Sequence, residues 1–484
     1  MLLKYFYNDK LAHASYLVGC QATGEAIVID PSRDISQYLE AAQAEDVRIV
    51  GITETHIHAD FLSGARELAA QTGATLYLSA EGGPDWTYQF LDEYSSQPVH
   101  DGDSFNIGNI KFEVMHTPGH TPEHIALLVT DGGSKASAPM GIFSGDFVFV
   151  GDVGRPDLLE KAAGVRGSSD IMARKMFESL QRFKKLPDFL QLWPAHGAGS
   201  ACGKALGAIP SSTVGYEKMV NWALAYNDED AFVNALLEGQ PEPPRYFAMM
   251  KKLNKEGPQL LSAIHAPQRV AESPETVQQW LSQGIVVDTR PASVFAKNHL
   301  VGVFNIPYNK SFVTWAGWFL DYDRPIYLLC DEDSLEAIIK ELQYIGLDNV
   351  EATMGTGVSA AVAAGGPRVM SYAEVQPEDA ARSIDRGEVF LLDVRNATEW
   401  SEGHIPQATH IMLGHLAQRA QEVPKDRPVL VQCRTGGRSA IAASILRAQG
   451  FEHVQNMLGG YEEWSKLGLA ADSTSSTGGT GSGW

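Results

Sequence analysis

The stretch Thr55-His56-Ile57-His58-Ala59-Asp60 follows the apolar run Val47–Ile52. Two imidazoles one residue apart, at the end of a buried strand and just before a helix expected over Ser63–Gln71, have the spacing of a metal site. Read alone, the pair is a weak signal, and two loop histidines bonded to backbone carbonyls would account for it. The rest of the chain favours the metal: Thr117-Pro118-Gly119-His120-Thr121, Phe143-Ser144-Gly145-Asp146 and Trp193-Pro194-Ala195-His196-Gly197 each place a metal-capable side chain at a turn directly after an apolar segment. A second chemistry resides in Cys433-Arg434-Thr435-Gly436-Gly437-Arg438-Ser439, which joins a buried strand to a helix expected over Ala440–Ala448. Its two glycines let backbone N–H groups curl around the Cys433 sulfur, the helix N-terminus adds positive potential, and Arg434 and Arg438 supplement it. Such surroundings stabilise a thiolate and an anionic persulfide.

On these residues the first half resembles the metallo-β-lactamase fold, and within it the persulfide dioxygenase branch. The family motif is His-x-His-x-Asp-His, and Phe61 stands where the last His would be. A phenyl ring offers a metal no lone pair, so the second site of a two-metal hydrolase loses a ligand. The resemblance implies one Fe(2+) in this domain, held by His56, His120 and Asp146. Two imidazoles and a carboxylate form the facial triad suited to ferrous iron, with positions open for oxygen and a substrate sulfur. Zinc could sit there but has no redox chemistry. The same resemblance places His58, Asp60 and His196 around the ligands, orienting them and fixing tautomers. The run Gly151–Leu158 also matches the branch, and Arg155 is expected to fork an anionic substrate end or the neighbouring carboxylates. Asp152 and Asp157 read as turn residues, and His116 as a strand histidine facing solvent or backbone. Cys202, six residues after His196, has two readings: it accepts or passes sulfane sulfur near the iron, or it is a buried loop cysteine. Gly197-Ala198 departs from the Asp-Tyr that follows the last His in many glutathione-persulfide members, which leaves the thiol carrier open.

The C-terminal part holds an internal repeat of about 100 residues. Val389–Arg395, Glu402–Pro406 and Pro428–Cys433 recur as Ile285–Arg290, Asn298–Leu300 and Pro325–Cys330. The second copy resembles a rhodanese sulfurtransferase domain, and Cys433–Arg438 has the six-residue loop of that family, one shorter than in related phosphatases. In the first copy the loop reads Cys330-Asp331-Glu332-Asp333-Ser334-Leu335-Glu336. Its acids would raise a thiolate in energy, so this copy is expected to be catalytically silent and to dock or space its neighbours.

Length and charge bound the rest. The chain has 484 residues, 44% hydrophobic, and a net charge of −21, which disfavours nucleic-acid partners and gives no support to a membrane surface. No apolar stretch is long enough to span a bilayer, the N-terminus lacks an export signal, and a cytoplasmic location is expected. The four cysteines contain no Cys-x-x-Cys pair, so neither a disulfide scaffold nor a zinc ribbon is suggested. The expected architecture is an αββα metallo-β-lactamase sandwich over 1–245, a linker over 246–268, a degenerate rhodanese-like α/β domain over 269–366, an active one over 367–470 and a disordered tail over 471–484. In the linker, Lys251, Lys252 and Lys255 form either a solvated face or an attractor for an anionic thiol carrier. The resemblance implies a dioxygenase that oxidises a low-molecular-weight persulfide (of glutathione, coenzyme A or bacillithiol) with O2 to sulfite, coupled to thiosulfate formation or thiol persulfide exchange through Cys433, in a homo-oligomer. The alternative is a zinc-dependent, glyoxalase II-like thioester hydrolase fused to a sulfurtransferase.

Overall fold

The computed structural model describes residues 1–134, 137–158, 160, 167–204, 206–357 and 369–472. The expected tail from 473 onward and the boundary at 366/367 lie outside the described residues. The chain forms two compact units, Met1–His265 with Lys340–Asp348, and Ala266–Ile339 with Asn349–Trp484.

The first unit is built on two sheets. One runs in the order β1 (Leu2–Asn8), β2 (His13–Cys20), β3 (Glu25–Ile29), β4 (Arg48–Thr53), β5 (Thr75–Tyr77); β1, β2 and β3 are antiparallel, and β3, β4 and β5 are parallel. The other contains β6 (Ser104–Ile107), β7 (Ile110–His116), β8 (Ile125–Asp131), β9 (Gly141–Gly145), β10 (Gln191–Pro194) and β11 (Ser212–Thr213), adjacent in that order. Alternation along the strands sends one set of side chains between the sheets and the other outward. Tyr16, Val18, Ile27 and Ile29 meet Phe112, Ile125, Leu127 and Phe143 in the central layer. Val28 and Ile52 face Tyr38 and Ala42 of helix Ser36–Ala44 and Leu68 of helix Ala65–Thr72. On the far side, Ala126 and Ile142 face Met176, Leu180 and Phe183 of helix Ser168–Phe183. These three apolar layers make the αββα sandwich expected from the resemblance.

Residues 246–268, expected as a linker, instead contain helix Phe247–Glu256, which buries Phe247, Met250 and Asn254. The prolines at 241, 243 and 244 precede this helix without severing it from the first unit, because its apolar face has a core to cover.

In the second unit each repeat forms a parallel sheet of the same order. The first runs Gln268–Arg269, Val350–Met354, Ile326–Leu329, Ile285–Asp288, Phe304–Asn305; the second runs Ala373–Val375, Val454–Met457, Val429–Gln432, Phe390–Asp393, Thr409–His410. The repeats share one apolar cluster, in which Val286, Phe295 and Tyr327 join Leu392, Val431 and Leu446, and the Asn305 amide donates to Ser444 Oγ at 3.0 Å. The two repeats thus lie in one compact unit, and the second also has a cluster of its own around Leu391, Ile405, Leu430 and Met457. No helix among the described residues is long and apolar enough to cross a membrane.

Candidate metal centre and cysteine loop

The centre forms where strands of both sheets end. His56 and His58 follow β4, His120 lies in the turn after β7, Asp146 follows β9 and His196 follows β10. One nitrogen each of His56 and His120 and one oxygen of Asp146 lie within 4.8 Å of one another, and all three residues are buried. The Asp146 carboxylate approaches His120 Nε2 at 3.4 Å and His56 Nε2 at 3.9 Å.

Hydrogen bonds behind these side chains fix which atoms face inward. The Thr55 hydroxyl donates to Asp30 Oδ2 at 3.0 Å, so its oxygen accepts from His56 Nδ1 at 3.0 Å and leaves the Nε2 lone pair inward. His120 Nδ1–H donates to the Arg155 carbonyl at 3.0 Å, with the same result. His56 Nε2 and both Asp146 oxygens are buried without a hydrogen-bond partner. Orphaned acceptors of this kind are costly in a closed interior unless a cation occupies the space between them, so the donor set fits a metal ion.

Two glycines permit the approach. A Cβ at Gly145, whose φ is +54°, would stand 2.5 Å from Thr55 Oγ1 and 2.7 Å from His124 Nε2, and one at Gly154 would stand 1.8 Å from the Asp146 carbonyl oxygen. Asp30 adopts φ 51°, a conformation costly for a non-glycine residue and held by its surroundings. Its carboxylate accepts from the Thr55 amide at 2.7 Å and from His58 Nε2 at 3.0 Å. Burial alone would lower the His58 pKa, but Asp30 outweighs it and pushes the imidazole up to about 9.

His196 donates from Nδ1 to the Ala12 carbonyl at 2.9 Å, and its Nε2 lies 3.1 Å from Asp60 and 3.4 Å from Asp146. Burial opposes its charge, yet Asp146 and Asp60 hold its pKa well above the usual histidine range. One atom each of Asp60, His196 and Cys202 forms a second set within 4.8 Å. The Cys202 thiol is pushed up to about 12 by burial and then by Asp60 and Asp146.

Arg155 does not face a substrate. Its guanidinium is fully buried, forks Asp157 with two bonds of 2.7 Å and donates to the Ala201 and Pro241 carbonyls. Of its two expected partners it takes a neighbouring carboxylate, and it supports the centre through its own carbonyl. Asp152 is more than a turn residue: it accepts from Trp222 Nε1 at 2.8 Å and from the Lys204 amide at 2.7 Å. His116 ends β7, where its Nε2–H donates to the Pro122 carbonyl at 2.8 Å.

Sequence reasoning missed several residues here. His124 stacks on His56 at 5.0 Å, accepts the Asp146 amide on Nε2 and donates from Nδ1 to Thr117 Oγ1. Its signal was its place four residues after His120. His13, on β2, lies 3.8 Å from Phe61, centroid to centroid, and neither of its ring nitrogens has a partner. Asn254 donates to the His58 and Phe61 carbonyls at 2.8 Å and accepts from the Ser63 amide at 2.9 Å. Nothing local in the sequence announces that reach.

In the second unit, Cys433 leaves strand Val429–Gln432, and its Sγ accepts from the Gly436 amide at 3.1 Å and from Ser439 Oγ at 3.4 Å, at the start of helix Gly437–Ala448. The glycine cradle is as expected, but the arginines are not both free. Arg438 forks Glu399 with bonds of 2.6 and 2.7 Å, because Glu399 is itself fixed in a capping box with Asn396. Arg434 is exposed, 3.8 Å from Glu462. In the first repeat the Cys330 thiol is pushed up to about 11 by burial, then by Asp331 and Glu332.

Comparison with known proteins matches a family to part of each unit. Residues 8–196 match the metallo-beta-lactamase superfamily and residues 376–467 the rhodanese-like domain. The crystal structure of a metallo-beta-lactamase from Staphylococcus aureus is 44% identical, covers 73% of this chain and 99% of its own, and superposes with a TM-score of 0.66. A sulfurtransferase of Allochromatium vinosum is 39% identical over 88 residues, 18% of this chain and 82% of the relative. A beta-lactamase hydrolase-like protein of Xylella fastidiosa is 27% identical over 292 residues, 53% of this chain; the match spans 60% of that relative's length.

Proposed function

The chain belongs to the metallo-beta-lactamase superfamily and carries a rhodanese-like domain, and from that premise we propose that its first unit is an iron-dependent persulfide dioxygenase whose sulfur chemistry is completed at Cys433. The observation that carries this reading is the donor set His56, His120 and Asp146, two imidazoles and one carboxylate, in which His56 Nε2 and both carboxylate oxygens are buried without a hydrogen bond, beside a Phe61 that can offer no second metal a ligand. His56, His120 and Asp146 would hold a ferrous ion, which would supply the redox chemistry that brings dioxygen and a substrate sulfur together.

The surrounding residues keep this set ready. Thr55 and the Arg155 carbonyl hold His56 and His120 in single tautomers, so no reorganisation is needed when substrate arrives. His196, itself 3.1 Å from Asp60, stands 3.4 Å from Asp146 Oδ1 and orients the carboxylate from that side. The balanced reaction is R–S–SH + O2 + H2O giving R–SH and sulfite with two protons; the four electrons taken up by O2 come from the terminal sulfur. At the other site, a Cys433 persulfide attacked by sulfite releases thiosulfate and returns the thiol, with the Gly436 amide and Ser439 hydroxyl bonded to the sulfur that leaves. Both sites need reduced thiols, which agrees with a cytoplasmic location.

The second donor set, Asp60, His196 and Cys202, favours one rival, a two-zinc thioester hydrolase. Metal analysis and O2 uptake with a persulfide decide between them. Iron at one per chain with O2 consumption, both lost in His120→Ala, is expected; two zinc ions with thioester cleavage and no O2 uptake would overturn the proposal.

A further inference from the structure

A cavity of about 480 Å³ opens in the first unit between helix Phe247–Glu256 and the start of helix Ser168–Phe183, with Trp86 and Pro122 in its wall. Lys251, Lys252 and Lys255 line it. Its volume lies in the range of small-molecule sites. The Lys251 ammonium sits 3.6 Å above the centre of the Trp86 ring, and burial lowers its pKa. Among the described residues none of the three lysines has a carboxylate within ion-pair distance. Asp85 and Glu256 also line the cavity, so three cations face two acids. The N-terminus of helix Ser168–Phe183 is no competing anion site, because Glu160 already accepts from the Ser169 amide and hydroxyl.

The cavity reaches a loop that carries one of the metal donors. Pro122 in its wall is two residues from His120. Behind Lys251, the buried Glu123 accepts from the Ile57 amide at 2.7 Å, between His56 and His58. A ligand held by the lysines would therefore lie against the loops that carry the donor set. A net charge of −21 repels a polyanion at long range, so a strongly anionic ligand needs a local cationic cluster such as this one.

The geometry points to this cavity as the docking site for the phosphate-bearing end of the carrier thiol. This deepens the persulfide reading and rests on it for the identity of the thiol end. The choice of phosphate over carboxylate comes from the cations. Three ammonium point charges against two acids suit a group that carries more than one negative charge, and a phosphate carries up to about two on oxygens that rotatable lysine donors can reach, where a carboxylate carries a single one. All three cations lining the cavity are lysines.

The test is equilibrium binding to the metal-loaded full chain, without oxygen or persulfide, using coenzyme A, pantetheine (the same thiol arm without phosphates), glutathione and adenosine 3′,5′-bisphosphate. Coenzyme A is expected to bind at least about tenfold tighter than pantetheine, the sum of three modest charge contributions. Raising salt should erode that preference, and adenosine 3′,5′-bisphosphate should compete. In Lys251→Met/Lys252→Gln/Lys255→Gln the preference should fall to within about twofold. The double variant Lys252→Gln/Lys255→Gln, which leaves the ammonium over Trp86 in place, should lose part of it should the triple variant fail to fold. No coenzyme A binding, equal affinity for pantetheine, tighter binding of glutathione, or a phosphate preference that survives both variants overturns the assignment. A phosphate preference in a protein that consumes no O2 with any persulfide would leave the cavity assigned and sink the dioxygenase reading instead.

Discussion

Asn254→Ala is expected to loosen the metal-binding loop from a helix that touches none of the donors. Asn254 is 1% exposed. Its side chain makes three hydrogen bonds of 2.8 to 2.9 Å, to the His58 carbonyl, the Phe61 carbonyl and the Ser63 amide. Each is worth about 1 kcal/mol net, and removal orphans three buried backbone groups, so roughly 3 kcal/mol of local stability should go. Hydrogen exchange over residues 58–65 reads this directly, and a loss of that size raises local opening about a hundredfold. Metal retention during dialysis should fall in parallel, since His58 and Asp60 lie in the loosened loop. Asn254→Asp separates the terms: it keeps an acceptor for Ser63 but turns a carboxylate oxygen on two carbonyls, so it should be no better than alanine. Exchange within about fivefold of wild type, or rescue by aspartate, would refute the reasoning.

Three further outcomes are expected. Cys433→Ser should abolish thiosulfate formation and leave O2 uptake largely intact, and an equal fall in both would mean that the two sites act as one. Glu399→Gln should free Arg438 to face the Cys433 loop and lower the KM for thiosulfate about threefold or more; an unchanged KM would show that the guanidinium does not reach the anion. His299 is buried, stacks on Phe295 at 4.1 Å and donates from Nδ1 to the Phe295 carbonyl, and burial pushes its pKa down to about 4. The unfolded imidazole, near 6.5, therefore binds the proton first, and the second unit should lose stability as pH falls from about 6.5 towards 4, by roughly 3 kcal/mol at most. His299→Leu should flatten that slope in denaturant melts, and an identical slope would remove His299 as its source.

What the sequence makes legible is whatever a strand end announces. His56, His58, His120, Asp146 and His196 each follow an apolar run, and the two sheets bring those ends together. The supporting groups are not announced that way. Asn254 lies 196 positions from His58 and His196 lies 184 from Ala12, separations that no local period encodes. The same limit explains the linker expectation: prolines and lysines report local geometry and charge, whereas Phe247 and Met250 find their core only in the folded unit. Arg155 is the local case, where one of its two expected partners, a neighbouring carboxylate, takes the fork. Its type fits an anion, but Asp157 two residues on satisfies the fork before any ligand can.

The two repeats separate position from environment. Cys330 and Cys433 follow equivalent strands of sheets with the same order, so the fold delivers both sulfurs to the same kind of loop. What differs is what meets them. Around Cys433 a glycine amide and a serine hydroxyl donate to sulfur; around Cys330 burial and two adjoining acids push the thiol up to about 11. Reactivity is thus decided by the five or six residues after the cysteine, where Gly436 adopts φ 97° and so turns its amide towards the sulfur. Grafting Arg434–Arg438 over Asp331–Leu335 should therefore confer sulfurtransferase activity on the first repeat, because it removes Asp331, Glu332 and Asp333, while Asp288, forked by Arg290, already matches Asp393, forked by Arg395, beside the second loop. No measurable thiosulfate turnover from such a graft, folded and in a Cys433→Ser background, would show that groups beyond the loop decide the reactivity of the sulfur.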